Sequence, residues 1–105
     1  MLPSEYLTKG WCQQRLACNK GSKERDPTSS QASQWCLEGA WIAAGLDSSE
    51  VRDVLNELTG VFGFVIWNDA PGRTKQEVVA LAKLVEIKLG LRPLETEPEL
   101  VAVGG

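Results

Sequence analysis

Residues 74–89 read TKQEVVALAKLVEIKL, and a helix accounts for their order from first to last. Thr74 followed by Glu77 three residues later supplies both halves of a capping box: a hydroxyl for the third N–H and a carboxylate for the cap's own N–H. Val78, Leu81, Ala82, Val85 and Leu89 then recur at steps of three and four, which places them on one face. Gly90 and, shortly after it, Pro93 end the run. Immediately upstream, Asn68–Gly72 has turn chemistry, with Pro71 and Gly72 adjacent.

Working back from this helix, Asp47 with Glu50 offers a second capping box. It opens a helix with Val51, Val54, Leu55 and Leu58 on one face and Glu50, Asp53 and Glu57 on the other, and Gly60 closes it. The acidic face reads as solvated. A third helix is expected from Thr28–Ser30 to Ala44, capped by Thr28 with Gln31. Its inward stripe is Ala32, Trp35, Cys36, Gly39 and Ala43, with Gly39 and Ala40 small enough for a second helix to approach. Trp41 falls about 240° around the helix from Trp35, so this helix is either central to the bundle or has one side reserved for a partner, and in the second case Trp41 is the first candidate to meet it. Ser4 can cap a short helix to Lys9, the segment 11–18 favours helix because it lacks β-branched residues, and 19–30 is a polar loop. Val61–Trp67 is dense in β-branched and aromatic residues, which leaves strand and short buried helix both open.

The expected fold is therefore all-α: a small single-domain bundle of four to five short helices, with a short strand near 62–66 as the open alternative. Residues 1–90 form the domain, and 91–105, carrying Glu95, Glu97 and Glu99, form an acidic tail. A length of 105 residues fits a single core.

Composition narrows function more by exclusion than by assignment. Eleven Lys and Arg against fourteen Asp and Glu give a net charge of −3, so the chain has no general attraction to a phosphate backbone, and nucleic acid is an unfavoured partner. No apolar run approaches the roughly 20 residues that cross a bilayer, and Pro3, Ser4, Glu5 and Lys9 interrupt the place where a signal peptide would carry its apolar run. A cytoplasmic location with no membrane association is expected. Cys12, Cys18 and Cys36 then stay reduced and read as small core hydrophobes. Their C-x5-C-x17-C spacing matches no zinc pattern and the chain has no histidine, so neither a metal nor another cofactor is expected.

The same lack of histidine, of a nucleophile elbow and of a glycine-rich phosphate loop argues against an enzyme. Four tryptophans in a chain this short favour a protein-interaction module, because indole is enriched where partners dock. The candidate binding residues are Trp41, Trp67, Asn68, Asp69 and Arg73. The last four could form a small pocket with Trp11 or Trp41, an aromatic wall with a few orienting polar groups. That pocket supports an alternative reading as a small-molecule or nucleotide binder, with Arg73 and ring stacking giving affinity. The same residues also have a purely structural reading, with Asn68 or Asp69 bonding turn amides and Arg73 pairing locally. A homodimer or larger homo-oligomer is the third alternative.

Gly10-Trp11-Cys12-Gln13, Trp35-Cys36 with Gly39-Ala40, and Trp67-Asn68-Asp69 with Pro71, Arg73-Thr74 and Glu77-Val78 together resemble an uncharacterised family of small bacterial and phage proteins. The resemblance runs from about Leu7 to Leu89, and its most specific part is Trp67–Val78. It brings no activity with it. It implies a small intracellular protein, often encoded on a mobile element, and hence a phage or prophage accessory protein that binds a host or self protein, with inhibition of a host defence system as one such role.

Overall fold

A computed structural model of the chain describes residues 1–60 and 62–93. Within them the order is α1 (Pro3–Lys9), β1 (Ala17–Cys18), β2 (Gln34–Trp35), α2 (Leu37–Ala43), α3 (Ser49–Thr59), α4 (Gly63–Asp69) and α5 (Lys75–Lys88). The described residues form five helices and one two-stranded antiparallel sheet, Ala17 opposite Trp35 and Cys18 opposite Gln34. The acidic tail expected over 91–105 lies outside the described residues from 94 onward.

α5 is the helix its sequence requires. Thr74 Oγ1 accepts from Glu77 N at 3.2 Å and Glu77 Oε1 accepts from Thr74 N at 2.9 Å, which closes the capping box. Val78, Ala82 and Val85 are fully buried at the predicted spacing. They meet Leu7 of α1, Leu37, Ala40 and Trp41 of α2, Val51 and Leu55 of α3, and Phe64 of α4 in one core. Burying each of the larger aliphatic side chains contributes about 1.5–3 kcal/mol. α3 also lies where the periodicity places it, although Ser48 rather than Asp47 caps it, accepting from Val51 N at 3.2 Å.

Three expected elements differ. Of the long helix expected from Thr28–Ser30 to Ala44 only the last seven-residue part, Leu37–Ala43, forms, because Gln34 and Trp35 pair with β1 and leave Cys36 as the cap of α2. The segment 11–18 is not helical: Trp35 N donates to Gly10 O at 2.9 Å and Cys12 N to Trp35 O at 3.1 Å, while Gln14 takes a positive φ of 68°. Gln34–Trp35 thus lies between two extended segments, and these cross-chain bonds override local helix propensity. The run that leaves strand open near 62–66 is helix, so the strand pairing lies elsewhere, at 17–18 and 34–35. Gly60 and Gly63, at φ of 100° and 87°, turn the chain sharply after α3, and Asn56 Oδ1 accepts from Phe64 N at 3.2 Å to start α4.

Gly39 does admit a close neighbour, but the neighbour is backbone and not a second helix. A Cβ at this position would lie 1.9 Å from Leu16 O, whose carbonyl accepts the Cys36 N–H at 3.1 Å. Gly39→Ala is therefore expected to cost about 3 kcal/mol or more. Urea unfolding followed by tryptophan fluorescence measures this, and an unchanged midpoint would disprove the close approach.

Candidate functional site

Asn68, at the end of α4, is the buried residue around which the predicted site residues gather. Its Oδ1 accepts from Trp11 Nε1 at 2.8 Å and from Leu37 N at 3.1 Å. Its Nδ2 donates to Cys12 O at 3.3 Å and to Asp69 Oδ1 at 2.9 Å. Asp69 Oδ1 also accepts from Gln14 N at 2.8 Å, which holds the left-handed Gln14 in place. Gln13 Nε2 reaches the carbonyls of Asn68 and Ala70 at 3.0 and 3.1 Å. The end of α4 is thereby bonded to the 11–14 segment and to the first turn of α2.

Trp67 and Arg73 are each other's partners. The Arg73 guanidinium lies 3.9 Å above the Trp67 ring, Nε donates to Trp67 O at 2.9 Å, and Nη1 pairs with Glu77 at 3.2 Å. Bonds from the Thr74 backbone and hydroxyl, with Arg73 beside them, hold the Glu77 carboxyl below its ordinary pKa. The ring face and the cation that a stacked ligand would require are thus already engaged. Asn68 and Asp69 do border a hollow of about 260 Å³, together with Leu16, Cys36, Glu38 and Val65, but no tryptophan lines it.

Trp41 requires a correction. It is 0% exposed and sits in the core, so it presents no surface to a partner. Its Nε1 has no hydrogen-bond partner among the described residues. The other indoles are also used internally: Trp11 on Asn68, Trp67 beneath Arg73, and Trp35 through Nε1 to Pro27 O at 3.0 Å with its ring edge-on to Tyr6. The excess of tryptophan goes into joining short elements and not into an exposed face.

The outward surface is found where the sequence left strand and helix open. With Gly63–Asp69 folded as α4 and Phe62 at its cap, Phe64 and Asn68 turn inward, and Phe62, Val65 and Ile66 face solvent at 77, 46 and 58% exposure. Their spacing of three and four makes one ridge. Beside it runs an open groove of about 810 Å³ between α3 and α4, bordered by Arg52, Asp53, Asn56, Glu57, Phe62 and Val65. Helical spacing applied to 62–69 would have found the ridge, whereas strand propensity concealed it.

The Cys12 and Cys36 thiols are poorly suited to chemistry. Burial pushes Cys12 up to about 12, helped by Cys18 and Cys36 nearby, and burial pushes Cys36 up to about 11. Both are almost wholly protonated at neutral pH, whereas the thiolate is the nucleophile and the metal ligand. Cys36 has a structural task, its sulfur accepting from Gly39 N at 3.3 Å. Among the described residues, no group of three Cys, Asp or Glu is placed to hold a metal ion.

Two outcomes follow from this geometry. Asn68→Ala strands the Trp11 and Leu37 donors and is expected to cost about 2–5 kcal/mol, read as a lower urea midpoint. A midpoint within error of the parent would overturn the role given to that carboxamide. Both thiol pKa values are raised from 9.0, so the folded chain keeps these protons where the unfolded chain releases them. Stability is accordingly intact below about pH 9 and falls as the pH rises through about 11 to 12. Cys36→Ser keeps a capping oxygen and should flatten part of that alkaline loss, so an unaltered slope of urea midpoint against pH would count against it.

No helix among the described residues is long and apolar enough to cross a membrane. Among curated proteins and among solved structures, none matches the chain. A family model described as a family of unknown function, DUF6197, matches residues 4–85, which takes in every helix from α1 into α5 and all the residues gathered around Asn68. The chain belongs to this family of unknown function.

Proposed function

We propose that the chain is a non-enzymatic protein-interaction module whose contact surface is the outer ridge of α4 and the groove beside it. One observation carries this reading: Phe62 at the cap of α4 and Val65 and Ile66 on it stand exposed together, while the inner face of that short helix is fixed in the core. Single exposed apolar side chains are ordinary, whereas three large ones on one ridge bordering a groove are characteristic of a docking surface. The inner bonding of Asn68 and Phe64 keeps this ridge in place before any partner arrives, which lowers the ordering cost of association. The setting, an accessory protein of a phage or prophage acting on a host or self protein, is supported by the sequence resemblance alone.

The test is affinity capture from host lysate, followed by titration of the purified partner in a calorimeter. The expected result is one stoichiometric protein whose affinity falls about tenfold or more with Val65→Asp or Ile66→Asp. Leu84→Asp, at an exposed apolar position on α5, should leave it unchanged. A partner indifferent to both α4 variants would remove the α4 surface from consideration.

A further inference from the structure

The groove beside α4 has a charge as well as a shape. Its far wall is α3, where Glu50, Asp53 and Glu57 are exposed at a spacing of three and four, so they form a carboxylate stripe facing solvent. Asp53 makes no ion pair among the described residues, and Glu57 has only Lys88 at 4.0 Å, the outer limit for such a pair. The one cation among the residues bordering the groove, Arg52, has its charge paired: Nη2 lies 2.6 Å from Glu38 and Nε 3.1 Å from Asp47, while its guanidinium lies 5.6 Å from the centre of the Phe64 ring, which also borders the groove. The groove therefore has an apolar wall of Phe62 and Val65, continued by Ile66 on the ridge, and an acidic wall of Asp53 and Glu57.

We infer that the partner element seated in this groove is a basic amphipathic helix. Its apolar stripe packs on Phe62, Val65 and Ile66, and its Lys or Arg residues lie along the carboxylates of α3. This deepens the proposed function and rests on it. The match is one of kind and of length. An apolar stripe flanked by cations is the pattern that an apolar ridge flanked by anions selects, and like charges on the partner would be rejected. The eleven residues of α3 extend about 16 Å, which about three turns of a partner helix would cover. A second copy aligned by a two-fold axis would instead bring its own Asp53 and Glu57 against these, which disfavours self-pairing through this face.

The experiment uses the full chain and a fluorescein-labelled peptide of about four helical turns, with Leu on one face and Lys on the other, read by fluorescence anisotropy. A second peptide carries Glu in place of Lys. The Lys peptide is expected to bind, weakening as salt is raised, and the Glu peptide is expected not to bind. The double variant Asp53→Lys with Glu57→Lys, which changes only exposed positions, should weaken the Lys peptide about tenfold or more, and Val65→Asp should do the same. Far-UV circular dichroism of each variant, matched to the parent, keeps a loss of binding from being a loss of fold.

Equal binding of the two peptides, or an affinity unmoved by the double variant, would overturn the inference. So would a chain that sediments as a dimer, returns to monomer on Val65→Asp and ignores the Lys peptide, a pattern that would assign the ridge to a second copy. If the captured partner is lost with Val65→Asp but kept by the double lysine variant, the interaction module stands and the basic-helix partner falls. If neither α4 variant affects the partner, both fall.

Discussion

The carboxamide of Asn68 is the interaction on which the rest of the architecture depends. Its oxygen receives Trp11 Nε1 from one segment and the Leu37 N–H of α2 from another, and its nitrogen gives both protons, to Cys12 O and Asp69 Oδ1. A buried amide with every group satisfied contributes specificity, because each missing partner would leave a desolvated donor or acceptor. An apolar side chain in its place would leave the buried Leu37 N–H without its acceptor. The consequence is register: α4 can sit against α2 and the 11–14 segment in one way only.

The same device recurs at the other short helices. The Leu2 side chain cannot cap α1, and Glu5 Oε1 accepts only the Leu2 N–H, at 2.7 Å. The fully buried Glu86 of α5 accepts from Ser4 N at 2.7 Å and from Ser4 Oγ at 2.8 Å, and it pairs with Arg92 at 3.2 Å. α4 begins on Asn56 of α3. Seven-residue helices are too short to persist alone, since nucleation outweighs the few bonds they propagate. Bonds from remote side chains to their first free N–H groups make them part of a cooperative whole. This explains a buried carboxylate in a core otherwise built of aliphatic and aromatic side chains: it replaces the solvent that the start of α1 has lost.

That inner bonding bears on the outer surface. A helix held by Phe64 and Asn68 on one side has no choice about what it shows on the other, so Phe62, Val65 and Ile66 remain exposed. The polar and charged residues that looked most functional in the sequence, Trp67, Asn68, Asp69 and Arg73, are the means of that holding. The residues that carry the resemblance in the sequence thus serve largely as an internal joint, and the exposed apolar ridge is left to residues with a plainer appearance.

What the sequence determined by itself is what local chemistry can carry. α5 was legible because Thr74 and Glu77 cap it from within and because Val78, Ala82 and Val85 repeat over enough turns to declare a face; α3 was legible for the same reasons, with Ser48 taking the cap in place of its neighbour Asp47. The outer acidic residues of α3 were read correctly as exposed. The bundle class followed from these two helices. Tertiary structure decided the rest, because the deciding bonds are remote: Asn68 lies 31 residues from Leu37 and 57 from Trp11, and Glu86 lies 82 from Ser4. No window of sequence contains both ends of such a bond. Gln34–Trp35 became strand because β1 and the Gly10–Cys12 segment supplied its partners, and β-branched 62–66 became helix because Asn56 and two glycines started it there. Trp41 was the candidate for an outward side from its angle around a helix, and only the packing of α1 and α4 against α2, in one core with residues of α3 and α5, could show that this side too is interior.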